Sequence, residues 1–175
     1  MTAPFAVQQI ATLLAATAPS LQAELAALPE PLTRFCPAPG AWFINEVIGH
    51  LIETEERGFG GRIRRLLAQA DYVCQPWDPD QVARERHDDQ KLAADLLQEF
   101  AAIRAANLRF VPTLTPAQLT RTAQHPVVGI LSVNDLLHEW VHHDHNHIKQ
   151  ILSNVQAWAW SHMGNAQRFS GEIVS

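Results

Sequence analysis

Five of the nine histidines in the chain lie between His138 and His147. Imidazole is the commonest metal-binding side chain in proteins. Two histidines four residues apart face the same side of a helix, with Cβ atoms about 5–6 Å apart, and could bind one ion. His143 and His147 have this spacing. His138 and His142 have it too, so the spacing alone is only a weak indication of a metal site.

A helical wheel divides the five histidines into two groups. The apolar face of their helix is marked by residues that lie within about 60° of Val133: Leu137, Trp140, Ile148, Ile151 and Val155. On that wheel, His143 and His147 lie on one flank of the apolar face. His138, His142 and His145 lie on the polar side. We therefore expect the pair to point into the protein and the other three to face solvent.

A third ligand has to come from another segment, and His50 is the candidate. It lies on a flank of the apolar face that Ile48 and Leu51 mark on an earlier helix. Taken alone, His50 is also compatible with a partly buried histidine that makes an ordinary hydrogen bond. Burial of three neutral imidazoles in one place is most easily offset by a cation that they share.

Two carboxylates, Glu55 and Asp144, fall in the middle of apolar faces, where they are costly unless paired. Glu55 could form an ion pair with Arg62, or it could act near the metal. Asp144 could hold a ligand imidazole through its second nitrogen, or it could bond the backbone of another helix. Both are therefore candidates for supporting the metal ligands, and the alternatives stay open at this point.

The elements that must position these residues are helices. Ser132 is a good N-cap for the helix that carries the histidine pair, and Asn45 or a neighbour could cap the earlier one. We find no convincing strand pattern. The sequence predicts one domain over residues 1–175, an all-α four-helix bundle with long connections. The predicted helices cover residues 5–28, 44–70, 90–109 and 132–158, and a polar linker covers 71–89.

The composition of the chain argues against several classes of function. The 175 residues are 47% hydrophobic and 18% charged, with a formal net charge of −5, which argues against nucleic acid or a membrane surface as partner. The cluster from Arg57 to Arg65 is expected to form a solvated or ion-paired face. There is no signal-peptide pattern and no spanning segment. Cys36 and Cys74 match no metal or redox spacing, so we expect reduced thiols in a cytoplasmic protein.

Two motifs resemble those of the DinB/YfiT-like superfamily of metal-binding four-helix bundles. The first is a tryptophan, Trp42, followed by a Gly-His-Leu step that contains His50 and then by acidic residues. The second is a His-Pro-x-x-Gly segment from His125 followed by the His143-to-His147 pair. In that superfamily, one histidine of the second helix and two of the last helix bind a divalent metal. The resemblance thus implies a site made of His50, His143 and His147.

The resemblance leaves the chemistry open. Similar members include transferases and isomerases that use bacillithiol or mycothiol, and many members have no assigned activity. Three histidines leave coordination positions free, as in catalytic sites. We expect nickel or zinc, a small thiol or other small molecule as substrate, and a homodimer. The first hypothesis is a metal-dependent thiol S-transferase or hydrolase with catalytic residues unassigned. The second is a non-catalytic, metal-stabilised, stress-related binding module.

Overall fold

The computed structural model describes residues 3–170, and the ends of the predicted 1–175 domain lie outside that range. Four long or medium helices form the bundle: α1 (Val7–Leu25), α3 (Ile44–Arg57), α6 (Ala93–Phe110) and α8 (Val133–Trp160). Shorter elements connect them: α2 (Glu30–Thr33), α4 (Gly60–Ala68), α5 (Pro79–Arg86), α7 (Pro116–Leu119), β1 (Thr122–His125), β2 (Gly129–Ser132) and α9 (Gln167–Ser170). The predicted all-α four-helix bundle is confirmed.

The four bundle helices close a ring, because α1 and α3 each pack against both α6 and α8. The interior contains two apolar clusters. One surrounds Trp140 and includes residues of α1, α4 and α8, and the other surrounds Phe100 and includes residues of α3 and α6. Buried apolar side chains of this kind each contribute about 1.5–3 kcal/mol to folding. Between the described ends of the chain, no helix is long and apolar enough to cross a membrane.

The predicted helix over residues 44–70 is in fact two helices, with a break at Gly58 and Phe59. Both backbone amides at the break donate to the carbonyl of Thr54, which ends the regular ladder of α3. The chain then restarts as α4 at Gly60, where a Cβ atom would overlap the side-chain amide of Asn107. Close packing against α6 therefore sets the start of α4. The periodicity continued across the break, so the sequence pattern could not reveal it.

The expectation that the chain contains no strand was wrong. Strands β1 and β2 pair antiparallel, with Thr122 opposite Ser132 and His125 opposite Gly129. Gly129 has a φ of +83°, a conformation that favours glycine. Each strand has only four residues, most of them partly buried, and a pattern of this length is too short to distinguish from a loop. The predicted linker over 71–89 likewise contains α5.

The start of α8 agrees with its sequence signal. The side chain of Ser132 accepts a hydrogen bond from the amide of Asp135 at 3.0 Å, so the predicted N-cap is confirmed. Asn45 does not cap α3. It is buried, and its side-chain amide donates to the carbonyls of Asp88 and Lys91. The first turn of α3 is held instead by Glu46, which accepts from the amide of Phe43.

Candidate metal centre

Three imidazoles meet between α3 and α8. The Nε2 atom of His143 lies 2.9 Å from Nε2 of His50 and 3.2 Å from Nε2 of His147. One nitrogen from each ring lies within 4.8 Å of the other two. The structure therefore brings together the three histidines that the sequence singled out, from two helices far apart in the chain.

A glycine allows the approach of the elements behind this cluster. A Cβ atom at Gly49 would collide with the carboxylate of Asp88 and would lie 2.9 Å from Nε of Arg86. Asp88 is buried and paired with Arg86 and Lys91, so these neighbours are held in place. The Gly-His step of the first motif thus has a physical reason: the glycine admits the paired segment after α5, and the histidine turns toward α8.

The three rings are neutral at physiological pH. Burial and, to a lesser extent, the nearby ring of His147 lower the pKa of His50 to about 3. Burial likewise lowers the pKa of His143 to about 2. The pKa of His147 is lowered by burial and partly restored by its contact with Gln150. Neutral imidazoles keep the nitrogen lone pairs that a metal requires.

The donor set fits a metal ion better than a hydrogen-bonded triad. A neutral ring nitrogen carries either one lone pair or one hydrogen, so Nε2 of His143 cannot bond well to both neighbours. With metal–nitrogen distances of about 2.0–2.1 Å, ligand nitrogens are roughly 3.3 Å apart around a tetrahedral ion and roughly 2.9 Å apart around an octahedral one. The distances of 2.9 and 3.2 Å fall in this range.

Aromatic rings border the imidazoles. The ring of Trp42 lies 5.0 Å from that of His50, and Trp77 stacks on His50 at 5.6 Å. Phe59 meets His143 edge-on at 5.1 Å. Trp42 belongs to the first sequence motif, whereas the sequence did not predict that Trp77 and Phe59 contact the imidazoles. Trp77 comes from the polar linker, where no helical or strand pattern could place it.

The Nδ1 atoms of the three rings differ in whether they have a hydrogen-bond partner. Nδ1 of His147 lies 2.8 Å from the side-chain oxygen of Gln150, whereas Nδ1 of His50 and of His143 are buried without a partner among the described residues. Asp144 had been a candidate for this supporting position. Its oxygens are instead occupied elsewhere, so Gln150 takes the place predicted for Asp144.

Asp144 and Glu55 share one buried guanidinium, that of Arg104 on α6. Arg104 donates to Glu55 at 2.6 and 3.0 Å and to Asp144 at 2.6 and 3.0 Å. Thr17 also donates to Asp144, and Asn107 also donates to Glu55. The proposed pairing of Glu55 with Arg62 is therefore wrong. Neither carboxylate hydrogen-bonds an imidazole of the cluster, so both support the ligands mainly by holding α3 and α8 in position.

Arg104 was missed by the sequence analysis, although a signal was present. It follows Leu96 and Phe100 at intervals of four residues, which places it on the buried face of α6. Burial lowers the pKa of Arg104, but Asp144 and Glu55 outweigh that effect and raise it above its ordinary value. The guanidinium therefore stays charged and links α3, α6 and α8 beside the imidazoles.

The other three histidines of the cluster do not join the site. His142 and His145 are exposed, as predicted, and each contacts a neighbour on its own helix. His138 is half-buried rather than solvent-facing. Its ring stacks on Phe5, and its Nε2 accepts from the backbone amide of Phe5 at 3.1 Å. This ring thus holds Phe5, just before α1, against α8.

The comparisons with known proteins agree with this architecture. The chain matches the DinB superfamily over residues 7–151. Its structure is similar to that of YfiT from Bacillus subtilis, with a TM-score of 0.80 and 18% sequence identity over 88% of each chain. YfiT is described as "a probable metal-dependent hydrolase with an unusual four-helix bundle topology". A comparison with curated sequences finds no match. The extent of the family match shows that this chain belongs to the DinB superfamily.

Proposed function

We propose that the chain is a metal-dependent enzyme, a hydrolase or a low-molecular-weight-thiol S-transferase. Its metal would be one divalent transition ion, nickel or zinc, held by His50, His143 and His147. The observation that carries the proposal is the convergence of three neutral Nε2 atoms on one point. The description of YfiT as a probable metal-dependent hydrolase supports the same class of function.

Such an ion would supply Lewis acidity and lower the pKa of a bound water or thiol. The chain's own residues would hold the ion and limit the access of water to it. The three imidazoles provide lone pairs from two helices, and the rings of Trp42 and Trp77 both pack against the ring of His50. Apolar walls exclude water and strengthen electrostatic interactions at the site.

The thiols of the chain are not placed to act as nucleophiles. Cys74 is buried, and burial raises its pKa. Cys36 is exposed and donates to the carbonyls of Ala38 and Ala41. Neither cysteine hydrogen-bonds a histidine among the described residues. We infer that the nucleophile is external, a water or a small thiol, which is common to both reactions proposed.

The alternative is a non-catalytic module in which the metal only stabilises the bundle. The buried network around Arg104 weighs against this role, because it already links α1, α3, α6 and α8 without an ion. A metal needed only for stability would be redundant there. Three protein ligands, rather than four, also suit a site that exchanges a ligand with substrate.

The test combines elemental analysis of untagged protein with assays of metal-dependent turnover. We expect about one nickel or zinc ion per chain. Ester hydrolysis and thiol transfer are then measured on loaded and chelator-treated protein, with His147→Ala as the metal-free control. Turnover that disappears with the metal supports the proposal. A bound metal with no turnover on any ester or thiol probe would favour the non-catalytic module.

A further inference from the structure

A cavity lies beside Trp77. Its volume is about 360 Å³, and its walls are Arg57, Arg65, Tyr72, Gln75, Pro76 and Trp77. Trp77 belongs both to this wall and to the surroundings of the imidazole cluster. The ring of Trp77 is 5.6 Å from that of His50, and the guanidinium carbon of Arg57 is 5.9 Å from the ring of Trp77. The cavity is therefore a neighbour of the proposed metal site.

Arg57 and Arg65 line this cavity and Arg62 contacts Gln75 of its wall, and of these three arginines only Arg57 is paired with a carboxylate among residues 3–170. Arg57 is paired with Glu53 at 2.6 Å. Arg65 donates to the hydroxyl of Tyr72 and to the carbonyl of Glu56, both uncharged groups. Neither Arg62 nor Arg65 has a carboxylate within salt-bridge distance in the described part of the chain. The solvated or ion-paired face expected from the sequence is found at the exposed residues Arg57 and Arg65, whereas Arg62 is buried without an ion pair in the described part of the chain.

Of Arg62 and Arg65, Arg62 is the one whose charge is buried. Its side chain belongs to a residue that is only 9% exposed, and its Nε atom is buried with no hydrogen-bond partner among residues 3–170. Its Nη2 atom donates to the carbonyl of Gln75, a residue of the cavity wall, over a long 3.5 Å. A buried charge without a counterion is costly. The chain as a whole has a net charge of −5, so an excess of basic residues does not explain why Arg62 is buried without a counterion.

The two guanidinium groups act on the same segment of chain. Both Arg62 and Arg65 lower the pKa of Cys74, although burial raises it overall. Cys74 lies between Tyr72 and Gln75, so the charges flank the wall of the cavity. Guanidinium groups bind carboxylate and phosphate oxygens with strong, directional hydrogen bonds.

We propose that this cavity is an anion-binding subsite, in which Arg65 of the wall binds the carboxylate or phosphate group of the substrate and the buried charge of Arg62, which contacts Gln75 of the wall, adds electrostatic attraction. The reacting group of the same molecule would reach the imidazole cluster past Trp77. The substrate class is then a small, elongated anion rather than a neutral ester or thiol. This inference rests on the proposed metal-dependent function for its biological sense, but the binding itself can be measured without the metal.

The test is calorimetric titration of the full chain with inorganic phosphate and, separately, with succinate, both zinc-loaded and after chelator treatment and dialysis. We expect saturable binding of one anion per chain, and the tighter of the two probes identifies the anionic group. Arg65→Gln should weaken binding at least about tenfold, the effect of removing one hydrogen bond to a charged group, and Arg62→Met should weaken it by a smaller factor, because it removes only a nearby charge. Arg109→Gln, an exposed arginine of α6 outside the cavity, should bind like the wild type.

A second measurement separates binding from folding. Without any anion, Arg62→Met should leave the melting temperature unchanged or raise it, because an unpaired buried charge is removed. A clear fall would show that Arg62 serves the fold and would overturn its assignment. The proposal also fails if neither anion binds saturably, or if Arg65→Gln binds as tightly as the wild type. Failure of the metal proposal would appear separately, as absent metal in a chain that still binds the anion.

Discussion

Nε2 of His50 and Nε2 of His143 lie 2.9 Å apart, although 93 positions separate the two residues in the chain. Two buried, neutral ring nitrogens at this distance need either one shared hydrogen or one shared ion. Because His147 approaches the same Nε2 of His143 at 3.2 Å, the ion explains all three positions at once.

The first prediction concerns metal occupancy. We expect His143→Ala and His50→Ala each to reduce bound metal at least about tenfold, since each removes one of three ligands. The matched control is His142→Ala, which removes an exposed histidine one position away. Elemental analysis of untagged proteins gives the occupancy. Equal metal content in the control and the ligand variants would contradict the site.

The second prediction concerns the buried guanidinium. Arg104→Met should lower the free energy of unfolding by about 3–5 kcal/mol, because Glu55 and Asp144 would remain buried without a counterion. Urea denaturation measures the change. Arg109→Met, an exposed arginine on the same helix, should stay within about 0.5 kcal/mol of the wild type. Adding Glu55→Gln and Asp144→Asn to Arg104→Met should recover part of the loss. If the free energy of unfolding does not recover, the uncompensated charges are not the cause of the loss in Arg104→Met.

The third prediction concerns the glycine before His50. Gly49→Ala should destabilise the fold by about 1–3 kcal/mol, because its methyl group would overlap the carboxylate of Asp88. The cost should be smaller in an Asp88→Ala background, where the obstructing group is absent. A double-mutant cycle in urea measures this coupling. Additive costs would show that Asp88 is not the obstacle.

The fourth prediction uses the aromatic rings as reporters. Trp42 and Trp77 both lie within 6 Å of the His50 ring, so addition of nickel to metal-free protein should quench tryptophan fluorescence. Replacing both tryptophans with phenylalanine should remove most of the quenching. Trp160→Phe, at an exposed position near the end of α8, serves as the control and should leave the quenching unchanged. Unaltered quenching in the double variant would place the ion elsewhere.

The fifth prediction concerns the two thiols. An alkylating reagent at pH 8 should modify exposed Cys36 much faster than Cys74, which is 1% exposed and whose pKa is raised by burial. Peptide mapping gives both rates. The double variant Cys36→Ser, Cys74→Ala should keep any metal-dependent turnover. Loss of turnover without loss of folding would make a cysteine the nucleophile and would contradict the external nucleophile inferred above.

The sequence predicted much of the fold because the signals were long and periodic. The N-cap at Ser132 and the flank position of His143 follow from local rules. The convergence with His50 needed the resemblance, because a wheel gives a direction on one helix and no distance between two. The break at Phe59, the strands and the pairing of Glu55 with Arg104 depend on tertiary contacts, which periodicity does not contain. The homodimer stays a prediction, to be checked by light scattering.

The rings that border the imidazoles come from connections, whereas the imidazoles come from packed helices. Trp42 precedes α3, and Trp77 precedes α5. Loop substitutions usually perturb folding less than substitutions in packed elements. The entrance to the site can therefore diverge while the three nitrogens stay in place. A saturation library over residues 41–43 and 75–78, which leaves buried Cys74 intact, is accordingly the natural starting point for redirecting the proposed metal site toward new ligands in the laboratory.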